Sequence, residues 1–346
     1  MLTTSKYPSS KGDITLISIT NTSGARTVLS TLGAGIVEVN VPDKNGHLDD
    51  VVLGYANPAD YIGDGPCAGK CPGRYANRIA GGKLCVEGKC YQLEINNGPN
   101  ALHGGSEGFQ NQIWTLEKAE GNTVVMRYDA ADGEANYPGA LTARATYVWT
   151  DDNELQLTLE ATTTAPTVVN LTNHAYWNLA GHNAGSVLDE KLTLNASRYL
   201  PTDSTLIPEG VLVPVAGSPM DFTKAKVLGA EIKMQFPALI YGKGYDNCWA
   251  VDNYKPGKVQ TVAVLTDDTT GRKLTVSSDQ PGVQIYTGNW LAGSPANKAG
   301  RSYDDYDGVA IECQDFPDAP HNPGFPSTLL LPGEKYCRHI NFKFSV

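Results

Sequence analysis

The stretch VVNLTNHAYWNLAGH, residues 168–182, bears most directly on the fold because its side chains alternate in character. A period of two predicts an extended strand whose successive side chains point to opposite faces. The apolar face contains Val169, Leu171, Ala175, Trp177 and Leu179, with Asn173 as its polar member. The other face contains Asn170, Thr172, His174, Tyr176 and Asn178. Because this second row offers hydroxyls, amides and an imidazole but no ordinary surface charge, it predicts the wall of a polar cavity.

Similar strand-like runs recur along the chain at roughly the spacing of an antiparallel sandwich or barrel. They are residues 13–21, 26–43, 122–130, 141–150, 154–163, 191–200, 261–268, 273–279, 282–291, 308–316 and 338–346. The 36 glycines and 21 prolines favour many turns between them. Helical periodicity is confined to residues 228–240, where Pro237 is expected to interrupt a short helix. The sequence therefore predicts an all-β protein, a single domain over residues 1–346 with a large, mostly antiparallel β-sandwich.

Charge and hydropathy exclude two classes of partner. The formal net charge of -10 argues against nucleic acid and anionic membrane surfaces, which require clustered Lys and Arg. No segment reaches the roughly 18 apolar residues of a membrane span, and the N-terminal residues lack the apolar core of a signal peptide. A cytoplasmic location is therefore expected.

The seven cysteines are an odd number, which fits free thiols in a reducing compartment better than a complete set of disulfides. Cys67, Cys71, Cys85 and Cys90 form the pattern C-x3-C-x13-C-x4-C, which one could interpret as a zinc site. The spacings are looser than those of zinc knuckles, so buried or incidental thiols are the preferred interpretation.

Five patches carry polar residues in unusual settings: Asn77 and Arg78 in a Gly-rich loop, His103 among turn formers, His174 with Tyr176, Asp246 before a strand, and Glu312 inside the apolar run GVAIECQ. Gln284 shares a strand face with Tyr286. Each has a structural alternative: Arg78 could satisfy loop carbonyls, His103 could be a structural loop residue, and Asp246 could be a turn or cap residue. A buried Glu312 is either half of an ion pair or an acid/base group.

This mixture of side chains has two natural uses. Two histidines and a carboxylate could bind a metal, but no H-x-H or H-x-x-x-H spacing is present. Amides, a carboxylate and a guanidinium instead suit sugar hydroxyls, which both donate and accept hydrogen bonds. A His and a Glu then remain to move protons. The second use is preferred, with no metal and no cofactor.

The segments NRIAGG, ALHGG, TNHAYWNLAG, GYDN, VQIYTGN and AIECQDFPDAPHNPGFPSTLLLPGEKY together resemble the aldose 1-epimerases, or galactose mutarotases, in the family's order. The resemblance spans about residue 33 to near the C-terminus. It implies a β-sandwich with an open sugar-binding cleft, and interconversion of the α and β anomers of free hexoses such as galactose and glucose. It also implies roles for individual residues: Glu312 as general base, His174 as general acid, and Asn77, Arg78, His103, Tyr176, Asp246 and Gln284 in substrate binding.

The sequence departs from the family pattern after Asp246, where Asn247, Cys248 and Trp249 replace the usual His and polar residue. This departure bears on the shape of the pocket and on the preferred sugar. One alternative is a hexose-6-phosphate epimerase, in which the phosphate would be bound by cations from Lys70, Arg74, Arg78 and Lys83. A second is a non-catalytic sugar sensor. A third is a glycosidase or lyase that uses Glu312 together with Asp246 as its pair of carboxylates. The expected partner is a free aldohexose, and the chain is expected to be a monomer or homodimer.

Overall fold

The computed structural model covers residues 1–346. It is 40% strand and 7% helical, which confirms the all-β class. The strands are β1 (Leu2–Tyr7), β2 (Ile14–Thr20), β3 (Arg26–Ser30), β4 (Gly35–Pro42), β5 (Leu48–Asp50), β6 (Arg78–Ile79), β7 (Lys83–Val86), β8 (Lys89–Gln92), β9 (Ala101–Leu102), β10 (Thr115–Glu120), β11 (Thr123–Ala130), β12 (Leu141–Trp149), β13 (Glu154–Thr163), β14 (Thr167–Val168), β15 (Tyr176–Trp177), β16 (Lys191–Leu194), β17 (Arg198–Tyr199), β18 (Val213–Pro214), β19 (Lys226–Val227), β20 (Asp246–Ala250), β21 (Gln260–Thr266), β22 (Lys273–Ser278), β23 (Gly282–Tyr286), β24 (Val309–Gln314), β25 (Leu329–Leu330) and β26 (Tyr336–Ser345). The one α-helix is α1 (Pro237–Gly242), and short 3-10 helices lie at Pro58–Tyr61, Ala80–Gly82, Phe109–Asn111, Glu134–Asn136, Leu228–Ala230 and Ala319–His321.

Three antiparallel sheets hold most of the strands. One contains β1 to β5 in chain order. The largest has nine strands in the order β10-β11-β12-β13-β26-β22-β21-β16-β19. The third has six strands in the order β15-β24-β23-β20-β17-β18. Strands distant in the chain are therefore neighbours in space, and β26 completes the centre of the nine-stranded sheet.

The nine-stranded and six-stranded sheets pack face to face. The ring of Trp177 in β15 lies 5.0 Å from that of Phe342 and 5.4 Å from that of Phe344, both in β26. Long strands of the larger sheet alternate between buried and half-buried residues, as expected for one core-facing side. In contrast, β24 is buried on both faces. One face of β24 belongs to the core, and the other is the floor of a cleft. The predicted sandwich is confirmed.

The prediction of one continuous strand over residues 168–182 is wrong. Only β14 and β15 form there, and the segment between them is extended without a regular ladder. The polar row is also not a continuous cavity wall. The side chains of Asn170, Thr172 and Asn178 are buried and bond to main-chain groups: Asn170 to Ala76 and Asp315, Thr172 to the carbonyl of Cys313, and Asn178 to the carbonyls of Gly185 and Asp307. These side chains replace missing ladder bonds, because buried backbone groups must find partners.

The helix prediction for residues 228–240 is wrong in detail. Pro237 does not interrupt a helix; it begins one, as the first residue of α1. Proline suits this position because its missing N–H would have no partner in the first turn of a helix.

The prediction of free thiols is wrong for Cys85 and Cys90, which form a disulfide. The two residues lie directly opposite each other in the β7–β8 hairpin. Cys67 and Cys71 are buried free thiols, so the four cysteines do not form a zinc site. The sequence spacing alone does not reveal that residues five apart face each other across a tight hairpin.

No helix of the protein is both long and apolar enough to cross a membrane.

Candidate active site

Adjacent strands of the six-stranded sheet bring three predicted residues onto its outer face. Gln284 of β23 pairs with Glu312 of β24, and Asp246 of β20 pairs with Tyr286 of β23. Residues paired across antiparallel strands project to the same face of a sheet. This register carries a carboxylate, an amide and a second carboxylate to one surface, although they are distant in sequence.

The neighbouring strand β15 adds Tyr176 to the same surface, and the segment just before it adds His174. Tyr176 pairs with Ala310 of β24, and His174 lies two residues earlier, on the same side of the extended chain. The His174 N–H donates to the carbonyl of Lys70, and the Tyr176 hydroxyl donates to the carbonyl of Pro66 at 2.9 Å. These main-chain contacts fix both rings without using the imidazole nitrogens.

The loop residues Asn77 and His103 lie above this surface, both in the left-handed region at φ 65° and 52°. Such a conformation is tolerated by Asn and His more than by most residues. The Asn77 N–H donates to His103 Nδ1 at 3.0 Å, and Asn77 Oδ1 accepts from the Arg78 N–H at 2.8 Å. The following Gly104, at φ 79°, lies so close to Gly73 that a Cβ would be 2.1 Å from the Gly73 carbonyl oxygen. The backbone therefore determines the position of the imidazole.

The contact with Asn77 also fixes the tautomer of His103. Because Nδ1 accepts a hydrogen bond, the neutral ring carries its proton on Nε2. Burial and the nearby His174 hold the pKa of His103 well below its ordinary value, so the ring stays neutral. His103 is consequently a neutral hydrogen-bond donor.

His174 and Glu312 form the candidate acid/base pair. His174 Nε2 lies 3.4 Å from Glu312 Oε1, and the rings of His174 and His103 are 5.4 Å apart. Burial lowers the pKa of His174 to about 4. Burial and the charge of Asp246 raise the pKa of Glu312 well above its ordinary value, against the opposing effect of Arg78. Burial therefore favours the neutral form of both groups.

Arg78, Asp246 and Gln284 form a connected row beside this pair. Arg78 Nη2 lies 3.5 Å from Asp246 Oδ2, and Gln284 Nε2 donates to Asp246 Oδ1 at 2.6 Å. Arg78 Nε donates to Asn97 Oδ1 at 2.9 Å. Each group is held by its neighbour, so the row presents donors and acceptors in fixed positions.

His103, His174 and Glu312 lie close enough together to suggest a metal site. The tautomer of His103 argues against one. Its Nδ1 lone pair accepts from Asn77, so Nε2 carries a proton and has no lone pair to offer a metal. This set of donors does not suit a metal ion.

Seven of the eight predicted residues line one open cleft of about 580 Å³. They are Asn77, Arg78, His103, His174, Tyr176, Asp246 and Glu312. The eighth, Gln284, lies behind the cleft surface and supports Asp246. Of the four cations considered for a phosphate, only Arg78 lines the cleft; Lys70 is buried against Asp64, and Arg74 donates to the carbonyls of Pro138 and Gly139.

Several lining residues were not among the predicted ones. They include Tyr286 and Asn97, and the rim residues Pro66, Ser204, Thr205, Leu206, Tyr241 and Trp290. The sequence did indicate Tyr286, because the alternation of its strand places it on the same face as Gln284. Tyr241 lies in α1, and the other rim residues named here lie in loops, where no periodicity indicates which side chains face a common space.

Comparison with known proteins identifies the family. The chain is 41% identical over 314 residues to galactose mutarotase of Rattus norvegicus, covering 91% of this chain and 89% of the relative. It is 34% identical to aldose 1-epimerase of Escherichia coli, and the match covers 95% of this chain and 94% of that relative. A solved structure of a GalM/aldose epimerase homologue from C. elegans superimposes with a TM-score of 0.88 at 30% identity, covering 95% of this chain and 98% of the other. The solved structure of a galactose 1-epimerase from Lactobacillus acidophilus superimposes with a TM-score of 0.86 at 27% identity, covering 100% of this chain and 98% of the other. The sequence model of the aldose 1-epimerase family matches residues 15–343, and the chain belongs to that family.

Proposed function

We propose that this protein interconverts the α and β anomers of free aldohexoses such as galactose and glucose. The observation that carries the proposal is the buried contact of His174 with Glu312, 3.4 Å apart, in a cleft lined by polar groups. Relatives named galactose mutarotase, at about 40% identity over most of the chain, support galactose as a substrate.

Anomer exchange requires two proton transfers. Glu312 removes the proton of the C1 hydroxyl, while His174 delivers one to the ring oxygen. The bond from C1 to the ring oxygen breaks and a C1 aldehyde forms. Rotation about C1–C2 and closure from the other face reverse both transfers. Each positioned proton transfer contributes about 10²–10⁴-fold in rate, and the reaction consumes no cofactor.

The other side chains position the sugar. His103 donates from Nε2 toward the ring oxygen or a neighbouring hydroxyl, since Asn77 holds its Nδ1. Arg78 and Asp246 bind hydroxyls, Gln284 orients Asp246, Asn77 adds its amide, and Tyr176 supplies an apolar wall. Such preorganised groups stabilise a transition state without rearranging during the reaction.

The direction of the two pKa shifts adds one step. Burial favours a proton on Glu312 over one on His174, whereas ring opening needs the proton on His174. Sugar hydroxyls donating to Glu312 favour its ionised form. We infer that binding moves the proton across the 3.4 Å contact to His174.

The alternatives receive no specific support. A hexose 6-phosphate would require several cations in the cleft, and only Arg78 is available there. A pure sugar sensor would not require His174 and Glu312 in contact.

We further propose that the chain works in the cytoplasm as a monomer or homodimer. Five free cysteines, four of them buried, support a reducing compartment. The Cys85–Cys90 bond argues the other way. Thiol labelling in intact cells tests the cytoplasmic location, and a fully oxidised Cys85–Cys90 pair in cells would contradict it. Analytical sedimentation tests the oligomeric state.

Polarimetry on freshly dissolved α-D-galactose and α-D-glucose tests the function. We expect the optical rotation to reach its unchanged equilibrium value faster with enzyme, and the ratio of rates to give the sugar preference. No acceleration with either sugar, in a folded sample, would contradict the proposal.

A further inference from the structure

His174 lies in an extended segment before β15, outside any regular strand ladder. Both of its main-chain groups bond to a single loop, residues 64–70. The His174 N–H donates to the carbonyl of Lys70 at 2.8 Å, and the His174 carbonyl accepts from the N–H of Gly69 at 3.0 Å. Because no strand partner satisfies these two groups, the position of the imidazole depends on the position of this loop.

A buried ion pair closes the loop. The Lys70 ammonium pairs with the Asp64 carboxylate, and the two side chains are 1% and 0% exposed. Lys70 Nζ also donates to the carbonyl of Tyr61, and Asp64 Oδ2 accepts from the Ala68 N–H at 2.9 Å. Because a buried charge without its partner is costly, the pair keeps the first and last residues of the loop together.

The loop also packs tightly against strand β4. Gly69 has φ 71°, and a Cβ there would lie 2.0 Å from the Ile36 carbonyl oxygen. The Ile36 N–H donates to the Gly69 carbonyl at 2.8 Å. On its other side the loop lines the cleft with Pro66, whose carbonyl accepts from the Tyr176 hydroxyl at 2.9 Å. A loop held on both sides transmits its own position to His174 and Tyr176.

The charge of Lys70 acts on the imidazole as well. Burial is the main cause of the lowered pKa of His174, about 4, and the positive charge of Lys70 lowers this pKa further. The titratable groups that face His174 from the surrounding elements are Glu312 of β24, His103 of the loop after β9, Tyr176 of β15 and Tyr286 of β23. Arg78 and Asp246 shift the pKa of Glu312 rather than that of His174. Among the cations near the site, Lys70 is therefore the one whose charge acts on His174.

We propose that the Asp64–Lys70 ion pair positions the general acid: it holds the 64–70 loop against the main chain of His174 and so fixes where the imidazole meets the sugar. Neither side chain lines the cleft, so both are positioning residues that act through His174 and touch no reacting atom. This role rests on the proposed function, in which His174 is the acid, and a measurement without turnover separates the two.

The double variant Asp64→Asn with Lys70→Met removes both charges and nearly keeps both side-chain sizes. Replacing a buried ion pair by neutral groups of similar size often preserves the fold. By polarimetry, we expect kcat for galactose to fall about 10-fold while KM changes by less than about 2-fold, because a small displacement of a reacting group is costly to the chemical step. The acidic limb of kcat/KM should move to higher pH, because the cation that opposes protonation of His174 is gone.

The matched control is Asp50→Asn with Lys298→Met. Lys298 pairs with Asp50 in a second largely buried ion pair, and its ammonium donates to the carbonyls of Val37 and Val52. None of these four residues lines the cleft. We expect the control to keep the kcat and the acidic limb of the wild type. No loss of kcat in the first double variant, or an equal loss in the control, overturns the proposal.

Histidine NMR tests the same role without turnover. The chain has six histidines, and the His174 signal is the one that His174→Asn lacks. We expect the imidazole pKa of His174 to be about 4 in the wild type, to rise in the Asp64→Asn, Lys70→Met variant and to stay unchanged in the control. An unchanged pKa in the first variant overturns the proposal even if the protein is an active mutarotase. Absence of mutarotation in the wild type contradicts the proposed function and leaves this measurement readable.

Amide hydrogen exchange of the wild type provides a test that does not depend on whether the variant folds. The amides of His174 and Gly69 should exchange as slowly as the amides that form the ladder between β23 and β24, because the ion pair keeps their hydrogen bonds closed. Exchange of both amides at least ~10-fold faster than the ladder overturns the proposal.

Discussion

The pair of His174 and Glu312 determines what single substitutions should do. Glu312→Gln keeps the size of the side chain and its ability to bond hydroxyls but removes the base. We expect the mutarotation rate to fall by at least ~10²-fold, since a lost general base costs that much, while galactose still binds. Polarimetry gives the rate and calorimetry the binding. A variant that keeps more than about a tenth of the rate would mean that Glu312 is not the base.

The shifted pKa values predict the pH dependence of kcat/KM, which reports the free enzyme. Activity requires one proton on the pair. As pH falls through the lowered pKa of His174, about 4, a second proton binds and activity is lost. As pH rises through the raised pKa of Glu312, the single proton leaves and activity is lost again. The acidic limb should therefore lie well below 6.5, and an acidic limb near 6.5 would contradict the burial argument.

Among single residues, sequence reasoning identified those whose chemistry conflicts with their local setting. Glu312 inside an apolar strand is the clearest case, because an unpaired buried carboxylate is costly. The sequence could not predict that Gln284 would lie behind Asp246, or that Asn77 would act through its backbone N–H as well as its side chain. These facts depend on contacts between distant segments.

At the level of elements, the segment between β14 and β15 separates side chains that hold the fold from those that act on substrate. Thr172 was predicted to share the cavity wall with His174, but its hydroxyl donates to the Cys313 carbonyl at 2.6 Å. Thr172→Val should lower the free energy of unfolding by about 1 kcal/mol, through one lost hydrogen bond, and leave kcat/KM unchanged. His174→Asn is the matched contrast and should abolish turnover. Urea unfolding and polarimetry separate the two effects, and a large loss of activity in Thr172→Val would return that residue to the site.

The β7–β8 hairpin gives a second prediction at this scale. Cys85→Ser with Cys90→Ser removes a disulfide that closes a short loop, which costs about 2 kcal/mol in the chain-entropy model. Urea unfolding of the double variant and of the wild type, with and without a reducing agent, measures this loss. Reduced wild type should match the variant, while Cys337→Ser, which removes a free thiol, should not change stability. Equal stability of oxidised and reduced wild type would contradict the expected contribution.

Element prediction succeeded where alternation was long and failed where chain segments were irregular. Strands β12, β13 and β26 were recognised because one face of each packs on the core over many residues. The stretch 168–182 has the same alternation, but its polar side chains satisfy backbone groups instead of facing a cavity. Periodicity reports which side chains are apolar, and it does not distinguish a ladder from an extended segment bonded by side chains.

For the whole molecule, the cleft joins parts of the chain that are distant in sequence. Asn77 and His103 come from loops near the N-terminal half, whereas Asp246 and Glu312 come from the six-stranded sheet. A sugar that contacts both groups binds only the folded state and should stabilise it. At a concentration of 100 times Kd, the gain is about 2.7 kcal/mol.

Thermal unfolding in the presence of galactose measures that gain. We expect Tm to rise with galactose concentration in the wild type and in Glu312→Gln, because the variant loses the base but keeps its hydroxyl contacts. Arg78→Ala should reduce the rise, since it removes a binding group and leaves Asp246 without its cation. Galactose 6-phosphate should stabilise less than galactose, because Asp246 and Glu312 share the cleft with only one cation, Arg78. A larger rise with the phosphate than with galactose would mean that the phosphorylated hexose is the substrate.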